Sequence, residues 1–250
     1  MISATYRAII SSDWNQCLAP CGPFDFIAFA FPQLEPTLAD IFRQYTGNRI
    51  SLGQAARQVR NLLPDPFTEE QMDAYLDQSF VTYPGVPELI QWCADNHILF
   101  MINTTGMIGY FQRIFAKKLL PPVPVLSAHP MIRFQELPSD PALIVELYET
   151  RDKARNTGTL ARCLEIPTGK IILMGDSGGD GPHFRWGAEA GAFLIGSMTK
   201  ASLGSYCREH DIAINLRFGP DYSAGQVPDV PQERQVNFMD LAPRIEKIAR

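Results

Sequence analysis

The stretch that decides the fold is YRAIISSDWN, residues 6–15. Its first half, Tyr6–Ile10, is a short run rich in β-branched and aromatic side chains, which predicts a buried β-strand. The polar residues Ser11, Ser12 and Asp13 follow directly, so the predicted strand carries hydroxyl and carboxylate groups at its carboxyl end. In open α/β sheets, ligands bind at the carboxyl ends of the strands. This stretch therefore predicts a sheet and the place of its functional site.

Beyond Gly85, short apolar strands alternate with helices, a pattern typical of a parallel sheet covered on both faces. The sequence predicts strands at Ile98–Asn103, Val123–Ser127, Met131–Phe134, Ile171–Met174 and Ala192–Ile195, and helices at Val86–Ala94, Ile108–Lys118, Arg151–Leu164, Gly181–Ala190 and Phe238–Ile248. The stretch Arg217–Gln235, which contains prolines and glycines, is predicted to be a surface loop.

Residues 35–80 carry a helical pattern without a strand signal. Ser51 and Thr68 are typical N-cap residues, and each would begin a further helix. The predicted fold class is therefore α/β: a Rossmann-like parallel-sheet core with helices on both faces, and a small helical cap inserted after the first strand. The core is assigned to residues 1–18 and 84–250, and the helical cap to residues 19–83.

Composition favours a folded domain and excludes two kinds of partner. Hydrophobic residues make up 46% of the 250 residues and charged residues 20%, which is enough apolar material for a core. The formal net charge is −5 and no basic tail is present, so the sequence predicts no nucleic-acid partner. The longest apolar runs, Phe24–Phe31 and Ile98–Ile102, are too short to span a bilayer, so no membrane partner is predicted.

The N-terminus and the cysteines favour a cytoplasmic location. No basic segment precedes a long apolar stretch at the start of the chain, so we expect neither a signal peptide nor a transit peptide. The five cysteines form no CxxC pair, which predicts reduced thiols.

Three carboxylates are predicted to meet at one edge of the sheet. Asp13 follows the first strand, and Asp176 and Asp180 lie in the segment GDSGGD that follows the strand at Ile171–Met174. Two carboxylates four residues apart across a glycine turn, with a third from another strand, supply the hard oxygen ligands that suit Mg²⁺.

Hydroxyl and ammonium groups are predicted to join them. Thr104, Thr105 and Gly106 follow the second strand at a turn into a helix, where a hydroxyl and backbone amides can hold a phosphate oxygen. Lys153 lies on the helix before the strand that leads to Asp176. An ammonium group there would neutralise the charge that keeps an anionic nucleophile from an anionic substrate.

Taken in order, these motifs resemble those of the haloacid dehalogenase (HAD) superfamily: Asp-x-Asp, then Ser/Thr, then Lys, then Gly-Asp-x-x-x-Asp. In this chain they are IISSDWN ending at Asn15, MINTTG around Thr104, Lys153, and ILMGDSGGD ending at Asp180. Each motif alone is weak, but four in order at predicted strand and helix ends form a specific pattern. The segments GNRISL (47–52) and PGVPELI (84–90) are similar to the phosphoserine-phosphatase-like branch.

The resemblance implies how the carboxylates would act. Asp13 would attack phosphorus and form an aspartyl-phosphate, which water then hydrolyses. Asp13, Asp176 and the backbone carbonyl of Asn15 would hold Mg²⁺, while Asp180 would hold a metal-bound water or ligate the metal directly.

The resemblance also implies how phosphate would be bound. Thr104 and the neighbouring amides at Thr105 and Gly106 would bind the phosphoryl oxygens, and Lys153 would bridge phosphate and Asp13. The substrate expected is a small phosphorylated molecule, and Arg57 and Arg60 on the second cap helix are candidates to bind a carboxylate on it.

Asn15 departs from the pattern of the resemblance, which has a second Asp that protonates the leaving oxygen and activates water. An amide cannot exchange a proton near neutral pH, and a missing general acid typically costs ~10²–10⁴ in rate. Three interpretations stay open. The leaving group needs little protonation, a cap residue supplies the proton, or the protein is catalytically impaired.

The predicted function is Mg²⁺-dependent phosphatase-type hydrolysis, and two alternatives are weighed beside it. A phosphoryl- or metal-binding regulatory protein would have kept the site and lost turnover. A 2-haloacid-dehalogenase-like hydrolase would use a cap arginine for halide, and the cap offers Arg43, Arg49, Arg57 and Arg60. Phosphonate hydrolysis in this superfamily uses a cap lysine, and residues 14–97 contain none.

Overall fold

The computed structural model describes residues 5–46 and 49–250 of the chain. Within these residues, seven strands form one sheet in the order β4-β3-β2-β1-β5-β6-β7, and every neighbouring pair is parallel. The strands are β1 (Ala8–Ser12), β2 (Ile98–Met107), β3 (Val125–His129), β4 (Leu143–Glu146), β5 (Ile171–Gly175), β6 (Phe193–Thr199) and β7 (Leu216–Asp221). The predicted α/β class with a parallel sheet is confirmed.

Four helices lie within residues 19–83, where the cap is predicted, a fifth leads into β2, and the remaining helices follow the later strands. They are α1 (Asp25–Ala30), α2 (Glu35–Thr46), α3 (Leu52–Leu62), α4 (Glu69–Ser79), α5 (Val86–Asp95), α6 (Ile108–Ala116), α7 (Asp152–Cys163), α8 (Gly181–Ala190), α9 (Ala201–Glu209), α10 (Val230–Glu233) and α11 (Ala242–Ala249). Among the described residues, none of these helices has the length and apolar character needed to cross a membrane.

Helices cover the sheet on both faces because successive residues of its central strands point to opposite sides. Ile9 packs in one apolar cluster with residues of α7, α8 and α9, while Ile10 packs in another with residues of α5, α6 and α11. All five residues of β1 are buried, so the strand is held firmly and its carboxyl end is placed accurately.

The capping boxes at Ser51 and Thr68 begin α3 and α4 as predicted, since each side chain accepts the backbone N–H three residues on. The additional helix α1 arises in the phenylalanine-rich run, where Phe26 is buried against Phe67 and stacks on Tyr110 of α6 with ring centroids 6.0 Å apart.

Charged pairs join α4 to α6 across the predicted cap–core boundary. Arg113 bonds Asp73 at 2.7 Å and contacts Glu69 at 2.5 Å, and Lys117 lies 2.8 Å from Asp77.

The division of the chain at residues 18 and 84 stays a prediction. Gly47 and Asn48, the first two residues of the GNRISL segment, lie outside the described residues.

The prediction of a strand at Met131–Phe134 is wrong, and β4 lies at Leu143–Glu146 instead. The segment bonds α6 rather than a strand: Ile132 O accepts the N–H of Gly109 at 2.8 Å, and Phe134 N donates to the Gln112 side chain at 2.8 Å. With these backbone groups already paired to a helix, the apolar run does not join the sheet.

The prediction of a surface loop over Arg217–Gln235 is also wrong in part, because the stretch contains most of β7 and all of α10. Since β7 is an edge strand, it tolerates Pro220, whose nitrogen cannot donate to a neighbour.

Other boundaries shift by a few residues: β1 begins and ends two residues later than predicted, and β2 continues to Met107. The predicted closing helix divides into a 3₁₀ turn at Phe238–Leu241 and α11.

Candidate active site

Asp13 lies directly after β1 and is 7% exposed. Its backbone N–H donates to Met174 O of β5 at 3.0 Å, which ties it to the neighbouring strand. One carboxylate oxygen accepts the N–H of Trp14 at 2.7 Å, and the other lies 3.1 Å from the Lys153 ammonium nitrogen. The carboxylate is therefore oriented from both sides.

Lys153 of α7 is 1% exposed and lies between two carboxylates. Its Nζ donates to Asp180 Oδ1 at 2.6 Å in addition to its contact with Asp13. Burial alone would lower the pKa of Lys153, but the attraction of Asp13 and Asp180 outweighs it and raises that pKa above its ordinary value. Lys153 is thus a permanent positive charge beneath Asp13.

Burial raises the pKa of Asp13, and repulsion from Asp180 adds to this effect. The nearby Lys153 charge and a hydrogen bond with Thr104 act in the opposite direction and lower the Asp13 pKa. The ionised form of Asp13 therefore depends on Lys153.

Asp176 and Asp180 are brought together by the turn after β5. Asp180 Oδ2 accepts the N–H of Asp176 at 3.0 Å and that of Ser177 at 3.3 Å. A side chain at Gly175 would have its Cβ 2.5 Å from Asp180 Cγ, so only glycine admits this approach. Ligand atoms of Asp13, Asp176 and Asp180 all lie within 4.8 Å of one another.

This carboxylate cluster fits a small hard cation. Within the described residues, the buried Asp176 Oδ1 has no hydrogen-bond partner, which leaves one oxygen ready for a ligand. The pKa of Asp176 is raised to about 7, because burial and the repulsion from Asp180 and Asp13 raise it more than the Lys200 charge lowers it. A divalent cation would relieve both the repulsion and the unsatisfied oxygen.

Thr104, Thr105 and Gly106 form the carboxyl end of β2, which runs four residues further than predicted. Thr104 is buried, and its Oγ1 accepts the N–H of Gly106 at 3.2 Å. Asn103 donates to the backbone oxygen of Lys153 at 3.0 Å, so β2 also positions α7. This supporting contact of Asn103 is not predicted from the sequence.

The Asn15 side chain is turned toward the cap side of β1. Its Nδ2 donates to the backbone oxygen of Cys21 at 3.3 Å, while Oδ1 has no partner among residues 5–46 and 49–250. A Cβ at Gly106 would approach Asn15 Oδ1 to 3.1 Å, so the glycine leaves room for this amide.

A cavity of about 330 Å³ opens above Asp13, between the sheet edge and the predicted cap. Its core wall is formed by Asp13, Asn15, Thr105, Lys153, Asp176 and Lys200, and its cap wall by Phe42, Tyr45, Thr46, Arg49, Ile50 and Leu52. Arg57 and Arg60 are exposed and do not line this cavity. Phe24, Phe26, Phe29 and Phe31 also lie outside its walls.

Lys200 and Tyr45 face the cavity from opposite sides, and neither is among the site residues predicted from the sequence. Lys200 comes directly after Thr199, the last residue of β6. Polar groups at the carboxyl end of a strand are site candidates, but the strand predicted from the sequence ends at Ile195, and Lys200 lies beyond it. Nothing in the helical pattern of α2 distinguishes Tyr45 from its neighbours.

The pKa of Asp176 leads to a prediction for the metal-free protein. In the folded state this carboxyl binds a proton up to about pH 7, whereas in the unfolded chain its pKa is about 4. Between these pH values the folded state holds more protons on Asp176, so the contribution of this carboxyl to the free energy of unfolding falls as pH rises and is lost above about pH 7. Urea unfolding in EDTA at pH 5 and pH 7.5 measures this. Asp176→Asn should show a smaller decrease in the free energy of unfolding between these two pH values. An equal decrease in the two proteins would contradict the prediction.

Solved structures share this fold across most of the chain. A phosphoserine phosphatase, captured as an analogue of its phospho-aspartyl intermediate, gives a TM-score of 0.66 at 14% identity over 96% of this chain and 99% of that chain. A HAD family hydrolase from Salmonella enterica subsp. enterica serovar Typhi gives 0.63 at 17% identity over 86% of this chain and 68% of that chain. Cytosolic 5′-nucleotidase IIIB bound to cytidine gives 0.57 at 14% identity over 99% of this chain and 88% of that chain.

No family model and no curated sequence matches the chain. At these levels of identity the structural likeness defines the fold: this is a HAD-type α/β fold, similar to that of the phosphoserine phosphatases. The fold predicted from the motif resemblance is thereby confirmed.

Proposed function

We propose that this chain is a HAD superfamily hydrolase that removes phosphate from a small phosphorylated metabolite, with Asp13 as nucleophile and Mg²⁺ as cofactor. The observation that carries the proposal is the placement of Asp13, whose carboxylate lies 3.1 Å from the Lys153 ammonium and borders the cavity together with Asp176. Two of the similar structures are a phosphoserine phosphatase and a 5′-nucleotidase, which supports a phosphate ester as the substrate class.

The proposed reaction begins when Asp13 attacks phosphorus. A bond forms between an Asp13 oxygen and phosphorus while the ester bond to the leaving oxygen breaks, and water later cleaves the aspartyl-phosphate. Lys153 keeps Asp13 ionised and offsets the negative charge of the incoming phosphoryl group. Thr104 and Thr105, at the end of β2, bind the phosphoryl oxygens through hydroxyl and amide groups.

Asp13, Asp176 and the backbone carbonyl of Asn15 would hold Mg²⁺, with Asp180 at a metal-bound water or a direct position. When bound, the ion supplies positive charge that neutralises the phosphoryl oxygens and orients the ester. Among the chain's own groups, Asp180 has the further role of holding Lys153 in place, because its Oδ1 accepts the ammonium at 2.6 Å.

The simplest test is hydrolysis of p-nitrophenyl phosphate in the presence of Mg²⁺ and in EDTA. We expect turnover with Mg²⁺ and a large loss in EDTA. An aspartyl-phosphate that accumulates without turnover would favour the impaired regulatory alternative. If neither phosphorylation nor turnover is detected, the proposed chemistry is wrong.

Tyr45 supports the interpretation that a cap residue supplies the proton that Asn15 cannot. Its hydroxyl hydrogen-bonds the Thr105 side chain and lies in the field of Lys153 and Asp13. Burial raises the pKa of Tyr45 to about 12, so the hydroxyl holds its proton at neutral pH. A departing alkoxide is a stronger base than this phenolate, so the Tyr45 hydroxyl can donate its proton to it, and the resulting phenolate can accept a proton from the attacking water.

Replacing Asn15 with aspartate is expected to raise kcat for alkyl phosphate esters by about 10²-fold or more if the absent acid limits the rate. The gain should be smaller for p-nitrophenyl phosphate, whose leaving group needs little protonation. Steady-state kinetics on both esters measures this, with Asn61→Asp, an exposed cap position, as the charge-matched control. If kcat does not rise, another group supplies the proton, and Tyr45→Phe should then lose activity mainly on the alkyl ester.

The position of Arg49 keeps dehalogenation as the second candidate, because it is the arginine of the four cap candidates that borders the cavity. A guanidinium there could hold a departing halide. Chloride release from 2-chloropropionate, measured beside phosphate release, separates the two activities. The intact Asp176 and Asp180 pair favours phosphate chemistry.

The cysteines support the proposed cytoplasmic location. All five are free thiols, of which Cys163 is exposed. An exposed free thiol is usual in a reducing compartment and uncommon outside the cell.

A further inference from the structure

Lys200 is joined to Asp176 through both its backbone and its side chain. The Lys200 N–H donates to Asp176 O at 2.8 Å, and its Nζ donates to Asp176 Oδ2 at 2.6 Å. The same ammonium contacts the side-chain oxygen of Gln16, which is the residue after Asn15. Because β6 ends at Thr199 and α9 begins at Ala201, the position of Lys200 is set by two regular elements.

The carboxylate cluster therefore already contains cationic charge. The Lys153 ammonium contacts the carboxylates of Asp13 and Asp180, and the Lys200 ammonium contacts that of Asp176. The two lysines therefore offset part of the negative charge of the cluster. Lys153 lies on the side of Asp13 and Asp180, whereas Lys200 contacts the carboxylate that would bind the metal most directly.

We propose that Lys200 is a built-in counter-ion of Asp176 that competes with the divalent cation and keeps metal affinity low. The inference rests on the metal site of the proposed function and adds a residue that regulates it. A divalent ion at the free Asp176 Oδ1 would lie within a few ångströms of the Lys200 ammonium, so the two positive charges repel. To bind, the ion must displace the ammonium from the carboxylate or tolerate its charge.

Asn15 acts on the charge of the site in the same direction as Lys200. A neutral amide at this position and an ammonium beside Asp176 both make the site less negative, and both reduce its attraction for a divalent cation. Two independent positions of the chain thus point to a site with a low affinity for its divalent cation.

The test is direct measurement of metal binding, with Mg²⁺ and Mn²⁺ titrated calorimetrically into the metal-free full-length protein. Lys200→Met should bind both ions about tenfold or more tightly than wild type, because the competing charge is gone. Lys247→Met is the matched control, since it removes one lysine charge from an exposed position of α11 and should bind the ions as wild type does. Unchanged or weaker binding by Lys200→Met overturns the inference.

Two further variants keep the outcome interpretable. Lys200→Gln is a polar replacement in case the methionine variant does not fold, and it should also bind metal more tightly than wild type. Lys200→Arg keeps the charge and should bind no more tightly than wild type.

Asp176→Asn separates the inference from the proposed function. If this variant binds metal as wild type does, or if no variant binds metal, the proposed metal site is wrong and the inference fails with it. If Asp176→Asn loses binding while Lys200→Met is no tighter, only the role of Lys200 is wrong.

Discussion

Replacing Asp13 with asparagine is expected to lower the turnover of phosphate esters by about 10⁴-fold or more. An amide oxygen cannot form the acyl-phosphate, although asparagine has nearly the same shape and can still accept the N–H of Trp14. Because the substitution adds no bulk at the end of β1, the cavity and its lining should be retained. The measurement is kcat/KM with Mg²⁺ on p-nitrophenyl phosphate.

The control for this variant is Asp65→Asn, which neutralises an exposed carboxylate between α3 and α4 and should leave turnover unchanged. Rapid acid quenching followed by mass spectrometry should find phosphate on Asp13 of the wild type and none on the variant. If Asp13→Asn hydrolyses esters as fast as wild type, the nucleophile is a different residue.

Replacing Lys153 with methionine is expected to lower the free energy of unfolding by about 3–5 kcal/mol and to abolish turnover. Lys153 is 1% exposed and bonds both Asp13 and Asp180, so its removal leaves two buried carboxylates without their cation. Methionine has a similar length and fills the space, which separates the loss of charge from the loss of packing. Urea unfolding at neutral pH in EDTA measures the stability change.

The matched comparison for this variant is Lys117→Met, because the half-buried Lys117 forms an ion pair with the exposed Asp77 at 2.8 Å. An ion pair with a solvent-exposed partner contributes at most about 1 kcal/mol, so the two lysines should differ clearly. Adding Asp180→Asn to Lys153→Met should restore part of the stability, since one unpaired carboxylate is then removed, without restoring turnover. A loss below about 1 kcal/mol for Lys153→Met would show that the buried charges are compensated elsewhere.

Much of the candidate site could be predicted because it is built from strand ends. Asp13, Thr104 and Asp176 each follow or end a strand that the apolar pattern identifies, and parallel neighbouring strands bring their carboxyl ends to one edge. Their convergence needed only the alternation of strands and helices and the order of the motifs. Lys153 was predictable for the same reason, since its helix leads into β5.

Other features could not be predicted because they depend on contacts between distant segments. Met131–Phe134 is apolar enough for a strand, yet its backbone groups bond Gly109 and Gln112 of α6. Lys200 was missed because β6 continues past Ile195, a boundary set by pairing with β7 and not by local composition.

The residues on the cap wall of the cavity also depend on contacts between distant segments. The apolar face of α3, with Leu52, Ala55 and Val59, packs inward and leaves Arg57 and Arg60 exposed, away from the cavity. Arg49 and Tyr45 border it instead. Which helical residues face Asp13 follows from how the cap helices are rotated against the core, and that rotation comes from packing.

The order and spacing of residues along this chain are sufficient for the parallel sheet, the helical insertion after β1 and the set of acids and lysine at the strand ends. These features follow from local periodicity and from the geometry that parallel strands share. The partner of Asp176, the direction of the Asn15 amide and the lining of the cap wall come from tertiary structure. They depend on side-chain directions across an interface between segments far apart in sequence, and no local pattern encodes them.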